Sequence, residues 1–170
     1  ISVLRDMSHE VRSVDILNSS AQDLTSKKLQ YAILDAIPQY DFVFMCPPCI
    51  SASIAMTPPL RTYPDHPRGV PGLTGRRLQL LKDGNTHYDF CAEVMHRCND
   101  VGVPWALESC AGRRYADAAE WPKFKHVGFI WDYPPISRIK AQPGVAYTVC
   151  AQSQWGADYQ KYTGYLTSEG

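Results

Sequence analysis

The sequence predicts an α/β fold built on a mostly parallel sheet, and three observations carry that expectation. Short apolar runs alternate along the chain with longer stretches of helical period. One run, Phe42 to Met45, leads directly into Cys46-Pro47-Pro48-Cys49. A second, Val103 to Leu107, ends at Glu108. A thiol and a carboxyl delivered just past the ends of buried strands sit where open α/β sheets do their chemistry.

The first nine residues read as the tail of a helix, with Val3, Leu4 and Met7 at helical spacing. Val11 to Leu17 reads as a strand carrying Asp15 near its end. Asp23 or Thr25 can cap a helix whose apolar face is Leu29, Ile33, Ala36 and Ile37, closed by Pro38. Phe42–Met45 is the central strand, ended and stiffened by Pro47 and Pro48, which fix φ and cannot both join a ladder. Residues 57–72 hold five prolines and read as an irregular loop, of a length that usually serves function. Thr74 to Val101 reads as a helix turning Leu78, Leu81, Tyr88, Ala92 and Met95 inward. Strands are expected at Val103–Leu107, Val127–Trp131 and Ala146–Cys150, followed by a Tyr-rich tail.

At 170 residues the chain reads as one domain, long enough to bury roughly 70% of its unfolded surface. A 45% apolar and 20% charged content excludes disorder, and zero net charge argues against a wholly electrostatic nucleic-acid binder. Charge is uneven, however: Thr57 to Lys82 carries Arg61, Arg68, Arg76, Arg77 and Lys82 against Asp65, a net +4. Six irregularly spaced cysteines suit a reducing, intracellular compartment (cytoplasm or nucleus) rather than a disulfide scaffold. No run of 18 apolar residues and no basic-then-apolar leader is present, so neither a membrane span nor export is expected. The chain opens on Ile1 and is expected to be a fragment.

Cys49 and Glu108 suit one another chemically. A thiolate adds to an electron-poor carbon when a nearby acid neutralises the charge pushed into the acceptor. Alone, Cys49 reads as a small buried hydrophobe and Glu108 as a salt-bridge partner; together, at neighbouring strand ends, they read as a site. Two rivals stand beside this. Cys46-Pro47-Pro48-Cys49 is also a C-x-x-C, as in thiol-redox modules. Zinc could be shared by Cys46 and Cys49 with Cys91 and Cys98, or with His87 and His96, although no second C-x-x-C exists and no metal is expected. The four tryptophans read as packing residues, and His66 as a loop residue.

Taken in order, several segments resemble the DNA cytosine-5 methyltransferases, in the compact form found in phage and mobile-element proteins. PPC at Pro47–Cys49 looks like the catalytic loop, and LES at Leu107–Ser109 like the glutamate motif. VDI at Val14–Ile16 and QDL at Gln22–Leu24 look like the acidic cofactor positions. Pro58 to Leu73, with Gly84-Asn85 downstream, is similar to an arginine- and proline-rich insert, here bounded at 57–77. WGADYQKYT, Trp155–Thr163, resembles the closing segment. The resemblance implies a Rossmann-like, S-adenosylmethionine-dependent methyltransferase sheet, mostly parallel, with its first strand and glycine-rich loop missing. It implies DNA as partner and a cytosine swung out of the duplex. Cys49 would attack C6 with Pro48 beside it, and Glu108 would bond N3. Asp15, Ile16, Asp23, Leu24 and Pro47 would meet S-adenosylmethionine, and Arg61, Arg68, Arg76, Arg77 and Lys161 would meet phosphates. Without the Phe-x-Gly-x-Gly loop the 170 residues are expected to bind the cofactor poorly and to be impaired or inactive. Ser109 and Cys110 stand where that family usually has Asn and Pro. An inactive remnant that still binds nucleic acid or a partner is the further alternative.

Overall fold

Four strands in the order β1-β2-β4-β3 form the sheet of this chain, of which a computed structural model describes residues 6–112, 124–156, 158 and 161–169. The strands are β1 (Val43–Met45), β2 (Trp105–Cys110), β3 (Val145–Ala151) and β4 (Tyr162–Ser168). Helices α1 (Lys27–Ala36), α2 (Gly75–Val101) and α3 (Pro134–Lys140) complete the fold.

The expectation of a mostly parallel, Rossmann-like sheet is overturned. Only β1 and β2 run parallel; β4 lies between β2 and β3 and is antiparallel to both. The physical cause is the short return after β3. Ten residues separate β3 from β4, whereas a parallel neighbour needs a crossover of a dozen residues or more. The segment that becomes β4 reads in the sequence only as a Tyr-rich tail, yet Leu166 and Thr163 are fully buried.

Two other expected strands do not form. Residues 11–17 make a surface turn, with Asn18 N donating to Asp15 O at 2.9 Å and Leu17 90% exposed. Asp15 competes locally for the backbone, its Oδ1 accepting from Leu17 N at 2.8 Å. Residues 127–131 are buried, but Val127 makes only an isolated bridge to Thr62, and a 3-10 turn follows at Ile130–Asp132. Pro134 then opens α3, where its missing N–H costs nothing. The strand expected at 103–107 is β2, shifted so that Glu108 lies inside it. Ile1 to Arg5, within the expected first helix, lie outside the described residues.

Both long helices form where the periodicity places them. Helix α2 ends at Gly102, whose φ of 72° is the left-handed cap glycine accepts most readily. Its Tyr88, Met95 and Cys98 are buried beneath the sheet with Trp105 and Leu107 of β2. Register puts Val43 beside Trp105 and Met45 beside Leu107 on this covered face. Phe44, 56% exposed, and Glu108 belong to the opposite face. Trp131 and Tyr147 pack on Gly164, where a Cβ would fall 2.6 Å from the Tyr147 hydroxyl. Trp105 and Trp131 are thus core residues; Trp121 and the side chain of Trp155 lie outside the described residues. No helix among the described residues is long and apolar enough to cross a membrane.

Candidate active site

The parallel pair β1 and β2 sets the site. After Met45 the chain leaves the sheet edge through Cys46-Pro47-Pro48-Cys49 and closes a 3-10 turn, with Ala52 N donating to Cys49 O at 2.9 Å. Cys46 turns its thiol onto the neighbouring strand and donates to Glu108 Oε2 at 2.7 Å. Desolvation, followed by that bond and the carboxylate's charge, pushes the Cys46 thiol up to about 12. Glu108 is also approached by Lys161, Nζ to Oε1 3.7 Å. Its side chain is only 13% exposed, so the acid sits in a largely enclosed position.

Cys49 is half-buried and free. Cys110, two residues beyond Glu108 and so on the same face of β2, lies beside it. The Cys110 thiol, with help from the Lys161 charge and against the cost of burial, holds the Cys49 thiol below the ordinary range. Cys110 is driven the opposite way, and its sulfur also lies 3.5 Å from Ala52 O. Trp131 secures this end of β2, its Nε1 donating to Cys110 O at 2.7 Å.

The loop is also fastened from below. The Tyr88 hydroxyl donates to Pro48 O at 3.0 Å and accepts from Ser51 Oγ at 3.3 Å. Arg61, 1% exposed, donates to Ser51 O, Ser51 Oγ, Pro67 O and Asn85 Oδ1 at 2.7–3.2 Å. Its guanidinium lies 5.0 Å from the Tyr88 ring centroid and 5.2 Å from that of Tyr133. Gly84 of α2 lets Ser51 sit flush, since a Cβ there would fall 2.1 Å from Ser51 Oγ. A cleft of about 200 Å³ opens beside this layer, lined by Pro48, Ile50, Leu80, Asp83 and His87 among others.

The sequence-predicted residues therefore divide. Cys49, Pro48, Glu108 and Lys161 come together, although the thiol bonded to Glu108 is Cys46. Arg61, expected to reach phosphates, is instead a buried structural cation. Arg68 forms a two-pronged pair with Asp89, at 3.2 and 2.7 Å, over the Tyr133 ring. Arg77 donates to Pro58 O at 2.8 Å, and Arg76 is exposed. Asp15 and Ile16 lie on the surface turn described above. Asp23 accepts from Thr25 N at 2.9 Å and Thr25 Oγ1 at 2.8 Å, and these bonds lower its carboxyl below the usual range. Leu24 packs against the core. No glycine precedes Gly69, so the backbone around these residues and Pro47 has no close-approach point for a nucleotide-like cofactor. The residues present do not fit S-adenosylmethionine. Cys91 and Cys98 are core residues, and among the described residues no three His, Cys, Asp or Glu side chains gather as a metal site.

Sequence reasoning missed Cys110 and Tyr88. Cys110 was legible from the two-residue period of the strand that presents Glu108. Tyr88 carries no local signal beyond its inward helical position. Compared with protein-family models, curated proteins and solved structures, the chain matches none.

Proposed function

We propose that this chain carries the base-activating chemistry of a DNA cytosine-5 methyltransferase. The single observation that carries the reading is the meeting of the 46–49 loop with Glu108 and Cys110. It places a thiol inclined to ionise beside a largely enclosed carboxyl. An unstacked cytosine entering here replaces the Cys46 thiol at Glu108, and the carboxylate takes a proton from solvent that it then donates to N3. Cys49 Sγ adds to C6, and the electrons released into the ring make C5 nucleophilic. C5 takes up a proton from solvent; loss of its original proton and departure of the thiolate restore the base. A bound S-adenosylmethionine would supply a methyl group to the same carbon. The described residues offer it no cradle, so the chain on its own is a base activator rather than a competent transferase.

Exposed Arg76 and the half-exposed Lys161 are the cations best disposed to meet DNA phosphate. The lack of a cofactor cradle equally favours a remnant that binds nucleic acid without turnover, and one experiment separates the two. DNA incubated with the full chain in heavy water exchanges hydrogen at cytosine C5 if the thiol adds to C6. Exchange absent from the wild-type chain overturns the activator reading. A thiol-redox module is less well supported: Cys46 is the harder thiol to ionise and is bonded to Glu108, and no α-helix begins at the motif. Six free thiols fit a reducing compartment, cytoplasm or nucleus.

A further inference from the structure

We infer that Tyr88 and Arg61 are positioning residues for the Cys49 thiol, acting through Pro48 and Ser51. This rests on the reading of Cys49 as the nucleophile, but it is tested without DNA. Cys49 lies between the two residues that are held. Pro48 O accepts from the Tyr88 hydroxyl at 3.0 Å, and Ser51 is bonded through its carbonyl and hydroxyl to Arg61 at 3.1 and 3.2 Å. The Ser51 hydroxyl also joins the two anchors, donating to Tyr88 at 3.3 Å. A loop of this kind, tied on both sides of one sulfur, sets where that sulfur points.

The anchors are costly to keep, which argues for a purpose beyond filling space. Arg61 is buried with no carboxylate among its hydrogen-bond partners, and burial draws its guanidinium below the ordinary value. Two tyrosine faces and four oxygens hold it instead, three of them carbonyls or amide oxygens and one the Ser51 hydroxyl. A planar fork reaching Ser51 and Asn85 together is a task lysine cannot perform. The groups that face Cys49 are Cys110 and Glu108 from β2, Lys161 before β4, Cys46 from the loop and Tyr88 from α2. Of these, the Cys110 contact depends most sharply on where the loop sits, because a short polar contact weakens steeply with misalignment.

The test is the pH dependence of Cys49 alkylation by iodoacetamide in the 170-residue chain, assigned by tandem mass spectrometry of the peptide shared with Cys46. Tyr88→Phe and Ser51→Ala are expected to raise the Cys49 midpoint by about one pH unit, lowering its alkylation rate near pH 5 about tenfold. Arg61→Lys is expected to shift it in the same direction despite keeping the charge. Tyr133→Phe removes a hydroxyl bonded to Asp89 at 2.8 Å and to Asn85 O at 3.4 Å, both on α2 rather than in the loop. It is expected to leave the midpoint in place. Folded Tyr88→Phe and Ser51→Ala proteins with the wild-type midpoint overturn the inference, as does an equal shift in Tyr133→Phe. Loss of C5 exchange with these shifts intact would instead count against the proposed function alone.

Discussion

Two surface loops that the sequence marks as functional are built in opposite ways. Besides the turn from Cys49 to Ala52, the hydrogen bonds that hold residues 46–52 reach partners 10 to 62 positions away, at Arg61 and on α2 and β2. Those that hold residues 15–25 reach partners no more than 7 positions away. The first loop is a product of the whole fold, and its thiol is placed relative to groups distant in sequence. The second folds on itself, and its carboxylates are spent on their own backbone. Long-range fastening is what preorganises a reacting group, and of these two loops it is the thiol loop that has it.

The comparison is broken most completely at the sulfur. Cys49→Ala is expected to abolish C5 exchange while leaving the circular dichroism spectrum unchanged; full exchange in that variant removes Cys49 from the chemistry. Next in size, Glu108→Gln should slow exchange by roughly 10² or more, the scale of a positioned acid or base. Gly84→Ala drives a methyl group into Ser51 Oγ. It should lower the unfolding free energy by about 1–3 kcal/mol in a denaturant titration, as overpacking does.

The other loop should respond weakly. Asp15→Asn and Asp23→Asn are expected to cost less than about 1 kcal/mol and to leave the pH profile of Cys49 alkylation unmoved. A large change in that profile would show that the two loops are coupled after all. The smallest effect is at His87, whose imidazole burial draws below its ordinary 6.5. Its folded-state value being depressed, its contribution to stability is complete above pH 6.5 and is lost as pH falls through the lower, folded value. Melting temperature should therefore decline more gently in His87→Gln than in the wild type between pH 7 and 5.

The sequence makes the two long helices legible because Ile33, Ile37, Tyr88, Ala92 and Met95 recur at helical spacing and Gly102 stops α2. It makes the thiol loop legible because two prolines end an apolar run. The sheet's direction is not legible, since the apolar residues of 162–168 are interleaved with Thr and Gly and the hairpin return before them carries no Asn-Gly signal. Nor does local pattern reveal that Arg61 is buried. An arginine among prolines reads as solvated unless Tyr88, Tyr133 and Asn85, 24 to 72 residues away, are known to enclose it. Residues 11–17 have a strand's composition, but Asp15 draws their end into a local turn.

The central claim is that the Cys49 sulfur reaches C6 of a cytosine held at Glu108. Its most direct test is covalent capture by single-stranded DNA containing 5-azacytosine, whose ring nitrogen makes C6 more electrophilic and requires no methyl donor. A one-to-one adduct that maps to Cys49 and is lost in Cys49→Ala is expected. An adduct on Cys46, or none at all with a folded wild-type chain, would contradict it.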